Sequence, residues 1–414
     1  MRNDTKTTNI VSGEKNIVNI TYVSNFMNHH QLPFSEEMLS LPSIQYNFVS
    51  LTPVPQERLD MGYEDMNHRY SFVLCAYDST EKMQKAKKII DGADIAIFGS
   101  CPDEMILQRA KQGKICCKFS ERYFKNGTVI HNFFSAMKHL KPFEKLPLYF
   151  GCSSAYTAAD LNRYTKFVNR TFKWGYFPET KIHDINSVIA EKTSVISNKY
   201  GSCYIVILWV GRFIEWKHPE AAIQLAAALK AKGYAFKLQM IGNGKMEAQL
   251  KKMIKQMQVT DCTEMLGSMP PNKVREYMEA ADIFLFTSDY NEGWGAVLNE
   301  SMNSGCAVVA SHAIGSVPFM VEDGKNGLVY KSGQQQQLER QVCRLMDNTL
   351  LRQTLGMNAY QSIISLWNAR VAANRFVELA KALQCGENTL DLFKDGPCSK
   401  AGILKDGWYH NNEN

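Results

Sequence analysis

The most constraining feature of the chain is a regular alternation, from residue 203 onward, of short apolar β-rich runs with helical stretches. CYIVILWVG is a continuous apolar run, the pattern of a parallel strand buried on both faces. A helix follows with Ala222, Leu225, Ala226 and Leu229 on one face, then the strand AFKLQMIG. The next helix carries Met246, Leu250, Met253, Ile254 and Met257 at helical spacing. A strand near EMLG, a helix near 272–280 and the strand ADIFLFTS come next. A helix over 294–304, the strand CAVVA and two or three closing helices from 333 to 383 complete the series. Such alternation predicts a parallel sheet wrapped by helices.

A first series precedes it. NIVNITYVS, IQYNFVSL, SFVLCAY, ADIAIFGS, KICCKFS and LPLYFGCSS read as strands, and PFSEEMLS, 79–91, 102–112 and 154–164 as helices. RTFKWGYFPET closes that series, and 178–202 has no sustained period. The expected fold class is therefore α/β, with two facing Rossmann-like, doubly wound domains and a cleft between them. The first domain spans 15–178, a linker 179–202 and the second domain 203–384. The polar N-terminus MRNDTKTTNIVSGEKN reads as a flexible lead-in without a signal peptide's apolar core. The tail 385–414, broken by Gly396-Pro397, has no evident place.

With 45% apolar and 21% charged residues the usage is that of a soluble globular protein, and no run approaches a membrane span. The eleven cysteines form no CxxC pair, and Cys116-Cys117 lacks a histidine at zinc-ligand spacing. They read as reduced thiols in a cytoplasmic protein, with no metal expected. The net charge of +6 is concentrated: residues 105–185 hold fourteen Lys and Arg against five Asp and Glu. That local excess suggests a polyanionic partner such as an anionic membrane surface or a phosphorylated acceptor. In IHNFFSAMKHLKPFEK, one helical face holds Ile130, Phe133, Phe134, Met137 and Leu140, beside Lys138, Lys141 and Lys145. It fits an interfacial helix, and it fits a helix packed on its own domain.

In open α/β sheets ligands bind at the carboxyl ends of the strands, where helix N-termini present free N–H groups. Three strand ends of the second domain carry unusual polar and glycine residues. In WVGRFIEWKHPE, Gly211 ends the strand, and Arg212 and Lys217 are suited to a diphosphate, although loop cations are usually just solvated. In MIGNGKMEAQL, the turn Gly242-Asn243-Gly244 lets backbone approach a ligand, or simply turns tightly. In TSDYNEGWGAVLNESMNSG, Glu292 lies in a glycine-flanked loop and Glu300 on the following helix. There the amides of Gly293, Trp294, Gly295 and Ala296, with Val297 after them, can face an anion.

The run NEGWGAVLNESMNSGCAVVAS, with seven residues between its two glutamates, resembles the signature of retaining glycosyltransferases of family four. VGRFIEWK resembles that family's phosphate-binding Arg and Lys, IGNGKMEAQL its glycine turn, and LGSMPPNKVREYMEAADIFLFTS its nucleobase-side segment. The resemblance covers about 203–383 and implies a GT-B fold of polysaccharide-building type. It also implies retention of configuration, a nucleotide-sugar co-substrate and neither cofactor nor metal. By it, Glu300 binds the ribose, Glu292 the transferred sugar, Arg212 and Lys217 the leaving diphosphate, and Leu266 and Gly267 lie near the base. After the first strand the chain has SNFMNHHQLPF where the family often has a glycine-rich loop.

On the acceptor side the candidates are Glu121 and Arg122, after the strand ICCKF, which fit a surface ion pair equally well, and His30 beside His29, although loop histidines are more often bystanders. The acceptor expected is a glycan or a lipid-linked glycan, on the cytoplasmic face of a membrane. A nucleotide-sugar epimerase of the same architecture and a silent glycan-binding scaffold are the alternatives. A phosphorylase would need a far longer chain, and a dehydrogenase would need a GxGxxG that GNGKME does not supply. No nucleic-acid motif accompanies the basic segment.

Overall fold

The computed structural model describes residues 17–60, 64–125, 129–200, 204–404 and 407–410, of which 129, 193–200 and 410 by backbone alone. The polar lead-in read at the N-terminus lies outside the described residues. Two parallel sheets organise the chain. The first holds β1 (Val18–Ser24), β2 (Ile44–Ser50), β3 (Val73–Cys75), β4 (Ile95–Phe98), β5 (Ile115–Ser120), β6 (Leu148–Cys152) and β7 (Thr171–Lys173). Their spatial order is β3-β2-β1-β4-β5-β6-β7. The second holds β8 (Ile205–Val210), β9 (Phe236–Ile241), β10 (Thr263–Gly267), β11 (Ile283–Phe286), β12 (Ala307–Ser311) and β13 (Leu328–Tyr330). Their order is β10-β9-β8-β11-β12-β13, and the described pairs within both sheets are parallel.

Each sheet reverses its winding beside its first strand, between β1 and β4 and between β8 and β11. Those switch points are where a doubly wound sheet opens a crevice. The strands follow from composition. Every residue of β11 and β12 is buried, which only near-continuous apolar runs such as IFLF and AVVAS tolerate. The helix after β8 starts at Pro219, where a missing N–H is harmless. The helix Val297–Asn303 stops at Ser304, and Gly305 follows with φ +68°.

Three parts of the architecture differ from the sequence reading. The stretch assigned as linker carries a helix, Ile185–Tyr200. Its Ile185 and Ile189 pack with Tyr360, and Lys192 is buried with its ammonium donating to the Ala281 carbonyl at 2.6 Å. Among its described side chains, Ile185, Val188, Ile189 and Lys192 mark the inner face, too few to register as a period. The last helix, Ala369–Cys385, does not stay with the second domain. Its Phe376 sits against Phe34, Phe119 and Trp174 of the first. The unplaced tail extends the first sheet: Cys398 and Lys173, Ser399 and Lys173, and Ala401 and Thr171 exchange backbone hydrogen bonds of 2.7–2.9 Å. Phe172 and Lys400 form an antiparallel bridge there.

Candidate active site

The carboxyl ends of β8, β9 and β11 meet those of β1, β4 and β5 across a cleft of about 780 Å³. Gly211, Arg212, Lys217, Gly242, Asn243, Glu292, Gly295, Ala296, Val297 and Glu300 line its second-domain wall. Three segments far apart in the chain thus converge on one surface.

The loop after β8 is sewn to the loop after β11. Thr287 Oγ1 donates to the Lys217 carbonyl at 2.7 Å and accepts from Trp209 Nε1 at 2.8 Å. The Asp289 amide donates to the Trp216 carbonyl at 3.0 Å. His218, in left-handed conformation at φ 49°, places Nδ1 2.9 Å from Glu220 and Nε2 3.2 Å from Asp289. Those two carboxylates, Glu220 foremost, raise its pKa. Thr287, Asp289 and His218 escaped the sequence reading. The signal for Thr287 and Asp289 was a polar TSD directly after a buried strand, and His218 had none beyond its place before Pro219.

Lys217 is not a free cation. Its ammonium contacts the Glu292 carboxylate, which also accepts from Ser288 Oγ at 2.9 Å. The pair is nearly buried, with side-chain exposures of 13% for Lys217 and 9% for Glu292. Both ends of the pair face the cleft, so an incoming anion and a sugar hydroxyl can share it. The Lys217 ammonium lies 4.7 Å from the centre of the Trp216 ring, and the Arg212 guanidinium 6.0 Å from it.

Glu300 stands on the first turn of the helix Val297–Asn303. No side chain among the described residues donates to its carboxyl, and burial pushes its pKa up to about 7, against the pull of Arg275. A half-buried carboxylate on the cleft wall, with no side-chain donor among the described residues, can accept hydroxyl hydrogen bonds.

The glycine turn has a structural cause. A Cβ on Gly242 would lie 1.8 Å from the Gly211 carbonyl oxygen, and one on Gly244 2.5 Å from that of Phe213. Gly242 and Asn243 still line the cleft, whereas Gly244, Leu266 and Gly267 do not. Trp294 is a correction: it is fully buried, donates from Nε1 to Asn299 Oδ1 at 2.9 Å, and lies under Gly175 of the first domain. It is an interdomain core residue. Gly293 is not a cleft-lining residue either, because the Glu121 carboxylate lies against it.

On the first-domain wall, Glu121 and His30 line the cleft and Arg122 does not. Arg122 is held by Asp160 through Nε at 3.3 Å and Nη2 at 3.1 Å, between the rings of Tyr156 and Tyr290. A guanidinium so engaged has a structural task. Glu121 accepts from Tyr176 at 2.8 Å and Lys125 at 3.0 Å. His30 stacks on Tyr176, and its Nδ1 is buried without a partner. Burial, then His29 and Arg58, hold its pKa well below the usual range, and burial takes His29 to about 4. Two neutral imidazoles therefore face the cleft at neutral pH.

The fold is thus that of a two-domain GT-B protein, with a built cleft at the switch points of both sheets. Residues 195–362 match the family of glycosyl transferases group 1. It is 30% identical over 182 residues to the amylovoran biosynthesis glycosyltransferase AmsK of Erwinia amylovora, covering 43% of this chain and 44% of that one. It is 32% identical over 182 residues to the putative colanic acid biosynthesis glycosyltransferase WcaL of Salmonella typhimurium, covering 42% and 44%. The chain thus spans less than half the length of these relatives. Among solved structures, Anabaena HepE in complex with UDP superposes with a TM-score of 0.65 at 14% identity, over 88% of this chain and 100% of that one.

Proposed function

We propose that this chain is a glycosyltransferase that moves a sugar from a nucleoside-diphosphate donor to a glycan or lipid-linked acceptor, with retention and without a metal in the transfer step. The observation that carries the reading is the convergence of Arg212, Lys217, Glu292 and Glu300 on one wall of the interdomain cleft. Glu300 takes the ribose hydroxyls. Glu292, fixed by Ser288, takes hydroxyls of the transferred sugar, and Arg212 and Lys217 meet the diphosphate. Fixed cations can stabilise charge on a departing diphosphate, the task a divalent ion performs elsewhere. The relatives named for amylovoran and colanic acid biosynthesis support a glycan-building role, and the UDP held by the structural neighbour supports a nucleotide donor. His30, with its unpartnered Nδ1, and Glu121 are the acceptor-side candidates that remain on the cleft.

Release of nucleoside diphosphate from a panel of nucleotide-sugars, measured with and without acceptor glycans, tests this reading. At least one donor should turn over, and saturating EDTA should leave that rate nearly unchanged. A panel without turnover would favour the silent scaffold, and a rate that collapses with EDTA and returns with manganese would remove the metal-independent mechanism.

The acceptor, if lipid-linked, places the enzyme at the cytoplasmic face of a membrane. The described residues contain no helix long and apolar enough to span one. The helix Val129–His139 divides the apolar face read from the sequence. Ile130, Phe133 and Phe134 are 75%, 44% and 65% exposed, whereas Leu140 is buried in the domain core with Ala136. Three exposed apolar side chains beside Lys138 and Lys141 support docking on anionic lipid. Co-sedimentation with anionic vesicles should fall with salt and in a Phe133→Ser, Phe134→Ser variant. Equal partitioning onto neutral vesicles, or none, would contradict it.

A further inference from the structure

At the edge of the first sheet, away from the cleft, the fold gathers three residues of different chemistry. Cys75 ends β3, Asp78 ends the turn that follows it, and His68 lies on the four-residue helix Met66–Arg69. One ligand atom from each lies within 4.8 Å of the other two. His68 Nε2 is 3.5 Å from Asp78 Oδ1. On the far side of the ring, Nδ1 is 3.0 Å from Asp65 Oδ2. Both neighbours are acceptor-only carboxylates and Asp65 is the nearer, so in the neutral ring the proton belongs on Nδ1, and the Nε2 lone pair then faces Cys75 and Asp78, where a cation would separate the facing lone pairs. A histidine oriented from behind by a carboxylate is the arrangement that metal-binding histidines use. Asp78 is itself fixed, since its Oδ2 accepts from Lys82 Nζ at 2.7 Å while Oδ1 turns to the histidine.

We propose that His68, Cys75 and Asp78 bind a divalent first-row cation, with zinc the ion that the ligand set suits best. One imidazole nitrogen, one thiolate and one carboxylate oxygen are a borderline-soft set, and three protein ligands leave a fourth tetrahedral position to water. Binding displaces the thiol proton of Cys75 to solvent, along with waters of the ion. None of the three lines the cleft, so the ion is structural and takes no part in the transfer proposed above. What it would hold is a short helix against a three-residue strand. Around it, Asn67 accepts from the Met27 amide at 2.9 Å and donates to Tyr77 at 3.1 Å and the Thr52 carbonyl at 3.2 Å. Spacing in the sequence hides the set, because the cysteine stands in an apolar run and the histidine in a polar one.

Titration of the metal-free full chain with cobalt(II), followed by absorption, tests the site. The expected result is one equivalent of cobalt per chain with a thiolate-to-cobalt charge-transfer band, displaced by zinc. The band should vanish in Cys75→Ser. It should also vanish in His68→Ala, whose side chain is 56% exposed, while the circular dichroism stays that of the wild type. Asp65→Asn keeps an oxygen to cap the helix but turns an NH2 toward Nδ1, driving the ring proton to Nε2. Its cobalt affinity should fall by about 10–100-fold. Absence of the charge-transfer band would overturn the proposal, and a band that survives His68→Ala and Cys75→Ser would overturn it by assigning the metal to other cysteines.

Discussion

Replacing Lys217 by alanine is expected to lower the catalytic constant by about a hundredfold to a thousandfold, with a much smaller change in the donor Michaelis constant. In the ground state the diphosphate charge is already spread over several oxygens and partly met by helix N-termini. As the glycosidic bond breaks, one more negative charge develops on the bridging oxygen, and the nearest cations gain most. An interaction that is stronger in the transition state raises rate more than affinity. The geometry adds a second consequence. Lys217 rests on Glu292, so its removal leaves a nearly buried carboxylate with Ser288 as its remaining side-chain partner. Breaking a buried pair from one side typically costs about 3–5 kcal/mol, discounted here because the pair opens onto the cleft. Lys217→Ala should therefore also lower the unfolding midpoint, and the double variant with Glu292→Gln should restore stability without restoring rate. Lys217→Arg should recover only part of the rate, since a planar fork replaces a point charge. Single-turnover kinetics with unchanged chemistry and only weakened donor affinity would make these cations binding residues alone.

The second large effect concerns Glu300. Glu300→Gln should weaken nucleoside diphosphate and nucleotide-sugar binding alike, by about tenfold to a hundredfold, the value of one or two charge-assisted hydrogen bonds at about 1.5–3 kcal/mol. Glu292→Gln should spare nucleoside diphosphate affinity, because the role proposed for Glu292 is to meet the sugar and its loss frees Lys217 for the diphosphate. The raised pKa of Glu300 gives the first effect a pH signature. In the empty cleft the carboxyl is half protonated near pH 7. Ribose hydroxyls donate best to the ionised form, so binding expels a proton. Affinity for the nucleotide-sugar, whose diphosphate stays ionised, should rise from about pH 5.5 to 7.5 by up to about tenfold per unit and then level. The slope should disappear in Glu300→Gln. A calorimetric titration with equal slopes in both proteins, or equal loss in the Glu292 and Glu300 variants, would undo the division of roles.

The parts of the molecule that were legible in the sequence share one property: their cause is local. Continuous apolar runs such as IVILWV and IFLF are parallel strands because nothing else buries both faces. The Glu292–Glu300 segment was legible because strand, glycine-rich loop and helix follow one another without interruption. What stayed hidden depends on partners distant in the chain. Arg122 looks like a cleft cation until Asp160, 38 residues on, captures it. Trp294 sits between two glycines in a candidate loop, yet the missing side chain of Gly175 makes room for it in the interdomain core. The helix Ile185–Tyr200 shows a lysine on its buried face because carbonyls at the end of another helix accept from it. The tail gains its place at the edge of β7 and through Arg375, which donates to the Pro397 carbonyl, and Trp408, which donates to Tyr156. In each case the decisive term is a polar group satisfied, or a cavity filled, by something that sequence spacing does not encode.

The central claim is that the cleft wall formed by Arg212, Lys217, Glu292 and Glu300 is a nucleotide-sugar site. Calorimetric titration of nucleoside diphosphates with different bases into the wild type and an Arg212→Ala, Glu300→Gln double variant tests it most directly. The account predicts saturable one-to-one binding of at least one nucleotide to the wild type, and affinity reduced by about a hundredfold or more in the folded double variant. Nucleotide binding of equal affinity in both proteins, or no binding of any nucleotide to the wild type, would contradict it.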